Sequence, residues 1–321
     1  MAVAADGLLD AVERAAELLG GAARRDVPLA PLTTYRVGGV AALAVTPMTE
    51  SDLVRVADAA RDSGVAVLVV GRGSNLLVAD AGFPGLAVIM RDGFDAIDVD
   101  GTLVRAAAGT SLPVVARRAA AAAVGGLEWA VGVPGSVGGA VRMNAGGHGS
   151  DMAAVLERAR VIDLRTGRAG WRSPAELHLG YRSSALGSDE VVVAAELRGR
   201  PGDRRAAEAL IDDIVRWRRV NQPGGQNAGS VFTNPPGDAA GRLIEHAGLK
   251  GLRIGTASVS TKHANFVQAD EGGSADDVLA VVRAVRDAVL RTCGVELRTE
   301  IRLIGFPDTY PHRVGGGGGH A

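Results

Sequence analysis

Between Gly125 and Gly147 the chain reads GGLEWAVGVPGSVGGAVRMNAGG, and no other stretch restricts the possible folds as much. Gly125, Gly126, Gly132, Gly135, Gly138, Gly139, Gly146 and Gly147 fall within it, against only two charged residues, Glu128 and Arg142. The segment is too apolar for an exposed linker and too rich in glycine for a helix or strand interior. Something must pass close to this backbone. Glycines remove side chains and admit positive φ, so successive N–H groups can converge on an anion, and the lack of a nearby lysine leaves main-chain dipoles to hold it. Tight turns packed inside a domain fit the stretch alone equally well.

The length of 321 residues is enough for two or three domains with substantial cores. Partners are narrowed by charge and by aromatic content. A formal net charge of -1, from 35 basic and 36 acidic residues, argues against nucleic acid, and 3% aromatics supply few stacking platforms for single strands. Cys293 is the only cysteine, so neither a disulfide framework nor a cysteine-based zinc site can form, and the six histidines show no metal spacing. Asp6, Asp10 and Glu13 interrupt any signal-peptide core, and no uncharged apolar run approaches a membrane span. A soluble cytoplasmic protein is expected, with no nucleic acid, membrane or metal partner, acting as a monomer.

Apolar periodicity predicts a helix over Gly7 to Leu19, an extended segment from Leu29 to Gly39, and a helix from the capping box Thr49/Asp52 to Gly64. Val65 to Val70 reads as a buried strand, and Ala96 to Ala107 as a hairpin about Asp100-Gly101. Ser111 is the expected cap of a helix through the alanines to Gly125. Strands are expected at Arg160 to Leu164 and Glu190 to Leu197. The composition shift at RPGD, 200 to 203, marks a domain boundary, followed by a helix with Leu210, Ile214 and Trp217 on one stripe. Further on come a short helix at Leu243 to His246, a strand near Ser258, and a helix from Ser274 to Gly294. Val295 to Ile304 alternates as a strand. The division is thus an N-terminal helix and connector at 1–30, domains at 31–200 and 201–306, and a glycine-rich tail at 307–321 expected to be disordered.

Familiar nucleotide motifs fail. Gly71 to Leu76, G-R-G-S-N-L, lacks the third glycine of a dinucleotide fingerprint, no Walker glycine-lysine pair exists, and Pro134 replaces the glycine of a nucleophile elbow before Ser136. What remains is a pair of turns, GRGSN at 71 to 75 and VGVPGSVGG at 131 to 139. Both follow apolar runs, and together they suit a pyrophosphate, with Ser74, Asn75 and Ser136 able to add side-chain hydrogen bonds.

The motifs VVGRGSNLLVADAGFPG, GLEWAVGVPGSVGGAVRMNAGG, YRSS, AGSVFTNP, LIEHAGLKG, STKHANFV and ELRTEIRLIG occur in this order from about Pro31 to Gly305. In this the chain resembles the UDP-N-acetylenolpyruvoylglucosamine reductases. The resemblance implies an α+β protein: an FAD-binding domain of the vanillyl-alcohol-oxidase type plus a smaller α+β C-terminal substrate domain. It further implies bound FAD, NADPH as hydride donor, and reduction of the enolpyruvyl ether of a UDP-sugar to a lactyl ether, a step of peptidoglycan precursor synthesis and hence of cell wall growth and division.

For FAD, the resemblance points to Tyr35, to Gly71, Arg72, Gly73, Ser74, Asn75 and Leu76, and to Gly132, Val133, Pro134, Gly135, Ser136, Gly138 and Gly139, with Asn144, Ala145 and Gly146 beyond them. Tyr35 reads equally well as a core aromatic. Arg182, Ser230 and Glu300 match the family's catalytic arginine, serine and glutamate. Hydride delivered to the terminal methylene leaves charge on the carbon beside the carboxylate, and an arginine and a glutamate can stabilise it while a serine returns a proton. Without the resemblance, Arg182 is a surface loop arginine, Ser230 a turn serine and Glu300 part of a solvated face. Asn234, Lys262 and His263 lie where family members contact the UDP-sugar; unaided, they read as a turn asparagine and a surface pair. The chain departs from the family at Arg72, where a small residue is usual, and at Gly147-His148, which replaces a small-aromatic pair. No tyrosine-bearing inserted loop stands between Arg182 and Ser230, which places the chain in the shorter class.

Two other readings use the same residues: a sugar or alcohol oxidase of the same flavin fold, and an inactive flavin-binding regulatory protein. The purified protein is expected to be yellow and to release FAD on denaturation; a colourless protein that takes up no flavin would contradict every reading here.

Overall fold

The computed structural model describes residues 2–307. Apart from Pro307, the expected disordered tail lies outside the described residues. The apolar stripe near the N-terminus forms the helix Ala2–Leu19, which buries Val12 and Ala15 beside the helix Glu50–Ser63. That second helix begins and ends as its sequence dictates. Thr49 Oγ1 accepts from the Asp52 amide at 3.1 Å, the Asp52 carboxylate accepts from the Thr49 amide at 2.9 Å, and Gly64 closes the helix in the left-handed region.

Both helices pack on a four-stranded sheet ordered Arg24–Pro28, Val40–Val45, Phe83–Ile89, Val67–Val70. The first pair is antiparallel and the others are parallel. The strand Val67–Val70 feeds directly into Gly71, which plants the GRGSN turn at the sheet's carboxyl end. A second, antiparallel sheet has the order Ala169–Arg172, Leu156–Asp163, Glu190–Arg198, Leu103–Ala107, Ile97–Asp100. Its last two strands are the expected hairpin about Asp100-Gly101. A bidentate pair, Arg160 to Glu50, ties the second sheet to the helix on the first.

The helix Leu112–Ala121 buries Val115, Ala116, Ala119 and Ala120 against the second sheet's core. Ser111 occupies its N-cap position without a side-chain cap bond; its backbone bridges to Ser136 instead. The glycine-rich centre resolves into a 3-10 turn, Glu128–Gly132, and a short helix, Val137–Arg142, capped by Ser136.

Two sequence expectations change here. The helix Arg204–Asn221, opened by Asp203, buries Ala207, Ile211 and Ile214, whereas Leu210 is 49% and Trp217 48% exposed. Steps of three and four residues through Ile214 describe either stripe, and the neighbouring core selects the first. That core contains Trp129 and the helix Leu112–Ala121, so the helix belongs with the domain before it. The composition break at 200 to 203 therefore marks the start of a helix packed on the first domain, not the end of that domain's core.

The remaining core gathers Phe232, Leu243, Ile244, Val278, Val282, Val285 and Leu297 around a small antiparallel sheet, Arg253–Ile254, Ala257–Val259 and Val267–Ala269. Two helices, Ala240–His246 and Ala275–Cys293, cover it, the longer capped by Ser274 and closed by Gly294 as its sequence suggests. Val295 to Ile304 is extended, and Leu297 and Ile301 are buried as the alternation requires. Only Arg302–Ile304 forms a ladder, parallel to the strand Leu76–Val78 of the first domain. Asp80, just beyond that strand, accepts hydrogen bonds from Ser274 Oγ at 2.6 Å and from the amides of Ala275 and Asp276 at 3.0 and 3.2 Å. One domain thus caps the long helix of the other. Asp80→Ala is expected to lower stability by about 1 kcal/mol, read as a lower urea midpoint, with Asp80→Asn recovering most of it.

Candidate active site

The two glycine turns meet at the wall of a cleft of about 1930 Å³, well beyond the ~300–1,000 Å³ of an ordinary small-molecule pocket. They interlock through reciprocal contacts. Ser74 Oγ donates to the Pro134 carbonyl at 3.2 Å, and a Cβ on Gly135 would stand 2.8 Å from that hydroxyl. A Cβ on Gly71 would collide with Ser136 Oγ in turn. Gly73, at φ 64, lies against the backbone of Leu32 and Thr33. Beneath the first turn the Arg91 guanidinium donates to the carbonyls of Gly71 and Leu32 at 3.1 and 2.8 Å. No sequence pattern marked Arg91.

Among the described residues, none of the amides of Gly71, Arg72, Gly73, Ser74, Asn75, Gly135 and Ser136 donates to a protein acceptor. An array of unpaired N–H groups at a cleft wall is what a diphosphate requires. The side chains expected to assist also bond to protein: Ser74 Oγ donates to the Pro134 carbonyl, Ser136 Oγ accepts from the Gly139 amide, and Asn75 Nδ2 donates to the Glu300 carbonyl at 3.1 Å. Arg72, Leu76, Gly132, Val133, Gly138, Gly139, Ala145 and Gly146 also line the cleft.

Tyr35 and Asn144 do not line it. Tyr35 has no exposed surface, joins the C-terminal core, and its phenol pKa is pushed up by burial. Its neighbour Thr34 is the residue that lines the cleft, and both Thr34 Oγ1 and the Tyr35 hydroxyl are buried without a hydrogen-bond partner. Asn144 is structural: Nδ2 donates to the Gly180 carbonyl at 2.9 Å and Oδ1 accepts from the Ala153 amide at 2.8 Å. It thereby fixes the turn that presents Arg182.

Arg182, Ser230 and Glu300 all line this cleft. Arg182, held at φ 54, donates from Nε to Glu300 Oε1 at 2.8 Å and from Nη2 to the Gly146 carbonyl at 2.9 Å. The side chains of Arg182 and Glu300 are only 22% and 18% exposed. Burial raises the Glu300 pKa from 4.5, and the Arg182 guanidinium offsets this only in part. The Glu300 amide donates to the Val231 carbonyl at 2.7 Å, which sets Ser230 beside the glutamate's strand. Two asparagines that the sequence did not single out build that loop. Asn227 Oδ1 accepts from the Gly229 amide, and the buried Asn265 exchanges two hydrogen bonds with the Phe232 backbone at 2.9 and 2.8 Å.

Asn234 lines the cleft while accepting from the Ala240 amide at 3.0 Å. Lys262 and His263 do not line it. Lys262 Nζ donates to the Arg219 carbonyl at 2.5 Å, and His263 packs edge-on against Phe266.

The FAD binding domain family model matches residues 41–170, and the UDP-N-acetylenolpyruvoylglucosamine reductase C-terminal domain model matches 220–304. The reductase 2 of Symbiobacterium thermophilum is 43% identical over 91% of this chain and 95% of its own. The Heliobacterium modesticaldum reductase is 44% identical over 87% and 89%. The chain belongs to the UDP-N-acetylenolpyruvoylglucosamine reductase family. The crystal structure of the Thermus caldophilus reductase superposes with a TM-score of 0.78 at 36% identity, covering 88% of this chain and 99% of that one. The chain is therefore an FAD-dependent oxidoreductase with the two-part α+β fold of the family.

The residues fit FAD: the lysine-free, unpaired amides of the two turns suit its diphosphate. Among the described residues no cluster of His, Cys, Asp and Glu could hold a metal, and no helix is long and apolar enough to cross a membrane.

Two outcomes follow. Gly73→Ala places a methyl against the Leu32 and Thr33 backbone at a positive φ, so the variant should lose flavin, read as a lower ratio of flavin to protein absorbance. Because the folded pKa of Glu300 is raised, its contribution to stability is full below the ordinary 4.5 and is lost as pH rises through the folded value. The stability of the apoprotein relative to Glu300→Gln should therefore fall with rising pH above 4.5; a flat difference would contradict a raised pKa.

Proposed function

We propose that Arg182, Glu300 and Ser230 carry out the enolpyruvyl reduction of UDP-N-acetylenolpyruvoylglucosamine, the substrate named for the chain's relatives. The family assignment makes the enzyme an FAD- and NADPH-dependent reductase of peptidoglycan precursor synthesis. The observation that carries the roles is the Arg182–Glu300 pair, drawn together from 118 residues apart and held partly buried at the wall of the cleft that Ser230 also lines.

When bound, FAD would supply the chemistry of hydride transfer from NADPH to the terminal methylene carbon of the enolpyruvyl group. As that bond forms, charge moves onto the adjacent carbon and its carboxylate. Arg182, permanently cationic and already oriented by the Gly146 carbonyl, meets that charge. Burial raises the Glu300 pKa, so its carboxyl group holds a proton to higher pH than a free glutamate and is suited to return one toward the developing charge. Ser230, whose hydroxyl has no protein partner among the described residues, delivers the proton to the carbon. Asn234 and the strand bearing Glu300 form the neighbouring wall for the sugar nucleotide. We place the reaction in the cytoplasm.

Half-reactions test the assignment. In anaerobic stopped flow, Ser230→Ala should still be bleached by NADPH, but recovery of flavin absorbance by the enolpyruvyl UDP-sugar should slow by ~10²–10⁴-fold. An unchanged rate of recovery would remove Ser230 from the reaction, and a wild-type enzyme reoxidised only by oxygen would point to an oxidase.

A further inference from the structure

Aromatic side chains are scarce in this chain, at 3% of residues, and the large ones are mostly spent in cores or kept away from the cleft. Tyr35 and Trp129 are buried, Trp171 does not line the cleft, and Tyr181, which lines it and is 60% exposed, is already met by the Arg182 guanidinium 5.2 Å from its ring centroid. Trp217 is the exception among the tryptophans: it lines the cleft and stays 48% exposed. It sits in the last turns of the helix Arg204–Asn221, which leads through Gln222 and Asn227 into the loop that presents Ser230.

The indole is not a loose surface group. The His148 ring meets it edge to face, with centroids 5.2 Å apart and planes at 87°. His148 is itself locked from the other side, because its ring presses on Gly132 so closely that a Cβ there would collide with it. Burial and the neighbouring Arg218 hold the His148 pKa below its ordinary value, so at neutral pH the ring is an uncharged wedge. A perpendicular neighbour covers at most one face of an indole. Trp217 thus keeps 48% of its surface exposed at the cleft while its ring is preoriented through a line of contacts that begins at Gly132.

We infer that Trp217 is a stacking platform for the heteroaromatic base of a nucleoside diphosphate in the substrate half of the cleft. The inference rests on the reductase reading, which supplies two candidate bases, the uracil of the sugar nucleotide and a base of NADPH. A base has a π-face and needs no charged partner, and stacking on one tryptophan typically accounts for a tenfold or larger share of affinity. The ring lies on the helix that enters the Ser230 loop and reaches the second turn through His148, which touches Gly132; the resident flavin is therefore the competing partner, and FAD retention in Trp217→Ala is the outcome that separates the two. In a chain without the inserted tyrosine loop, this ring gives the cleft an aromatic wall that is built into the scaffold.

The test uses the flavin-loaded enzyme with redox-inert ligands. Tryptophan fluorescence is titrated with UDP and, separately, with NADP+, in wild type and in Trp217→Phe. A saturable change with UDP that is diminished in Trp217→Phe assigns the ring to uracil; the same result with NADP+ assigns it to the dinucleotide; both together assign a shared platform. In steady state, Trp217→Ala should raise the KM of the matching ligand about tenfold with kcat within about threefold, and Trp217→Phe should restore most of the loss. The inference is overturned if neither ligand changes the Trp217-dependent signal, or if Trp217→Ala keeps both KM values. It is overturned equally if the variant folds by circular dichroism but loses FAD, since the ring would then serve the cofactor. None of these outcomes touches the reductase reading, which stands or falls on flavin reoxidation by the enolpyruvyl UDP-sugar in the wild type.

Discussion

The structure depends on two turns lying against each other with a hydroxyl of each seated over a glycine of the other: Ser136 over Gly71 and Ser74 over Gly135. Neither turn has a regular ladder of its own to hold its shape. Interlocked, they leave their amides unpaired at a cleft wall, a state that costs free energy in a dry interior and is sustained only where solvent or a ligand satisfies them. Arg91 underpins the first turn and the Ser111–Ser136 bridge the second. The cradle is thus fixed before any ligand arrives.

The reacting groups are attached to this cradle by short bonds. Asn75, within the first turn, donates to the Glu300 carbonyl and accepts from the Arg302 amide at 2.8 Å. Arg182 is bonded to Gly146, just past the second turn. A displacement of either turn would therefore move the Arg182–Glu300 pair as well. Geometry of this kind lets binding energy at the diphosphate end position the chemistry at the other, the preorganisation on which electrostatic catalysis relies.

The sequence carried the local physics well. The capping box at Thr49, the Ser274 cap, the glycine stops at Gly64 and Gly294, and the Asp100-Gly101 hairpin are encoded within a few residues and stand as expected. The non-local terms were not legible. Whether Leu210 or Ile211 faces inward depends on Trp129 and the helix Leu112–Ala121, and whether Tyr35 or Thr34 meets the cleft depends on a core assembled from the far end of the chain. Likewise nothing in their own motifs shows that Ser74, Asn75 and Ser136 also make hydrogen bonds to protein. Glu300 read as solvated by alternation alone, since Glu296 and Arg298 on the same face are exposed; its burial comes from Arg182 and the Val231 segment.

The parallel pairing of Arg302–Ile304 with Leu76–Val78 also orders events in time. During synthesis the first turn emerges long before its partner strand, and the Asn75–Glu300 contact closes a loop of 225 residues. Closure of so long a loop is entropically costly and slow compared with local structure. No N-terminal fragment on the ribosome can present the finished cleft, and a chain truncated ahead of residue 302 would lack the strand that fastens the cofactor turn to the carboxyl group opposite it.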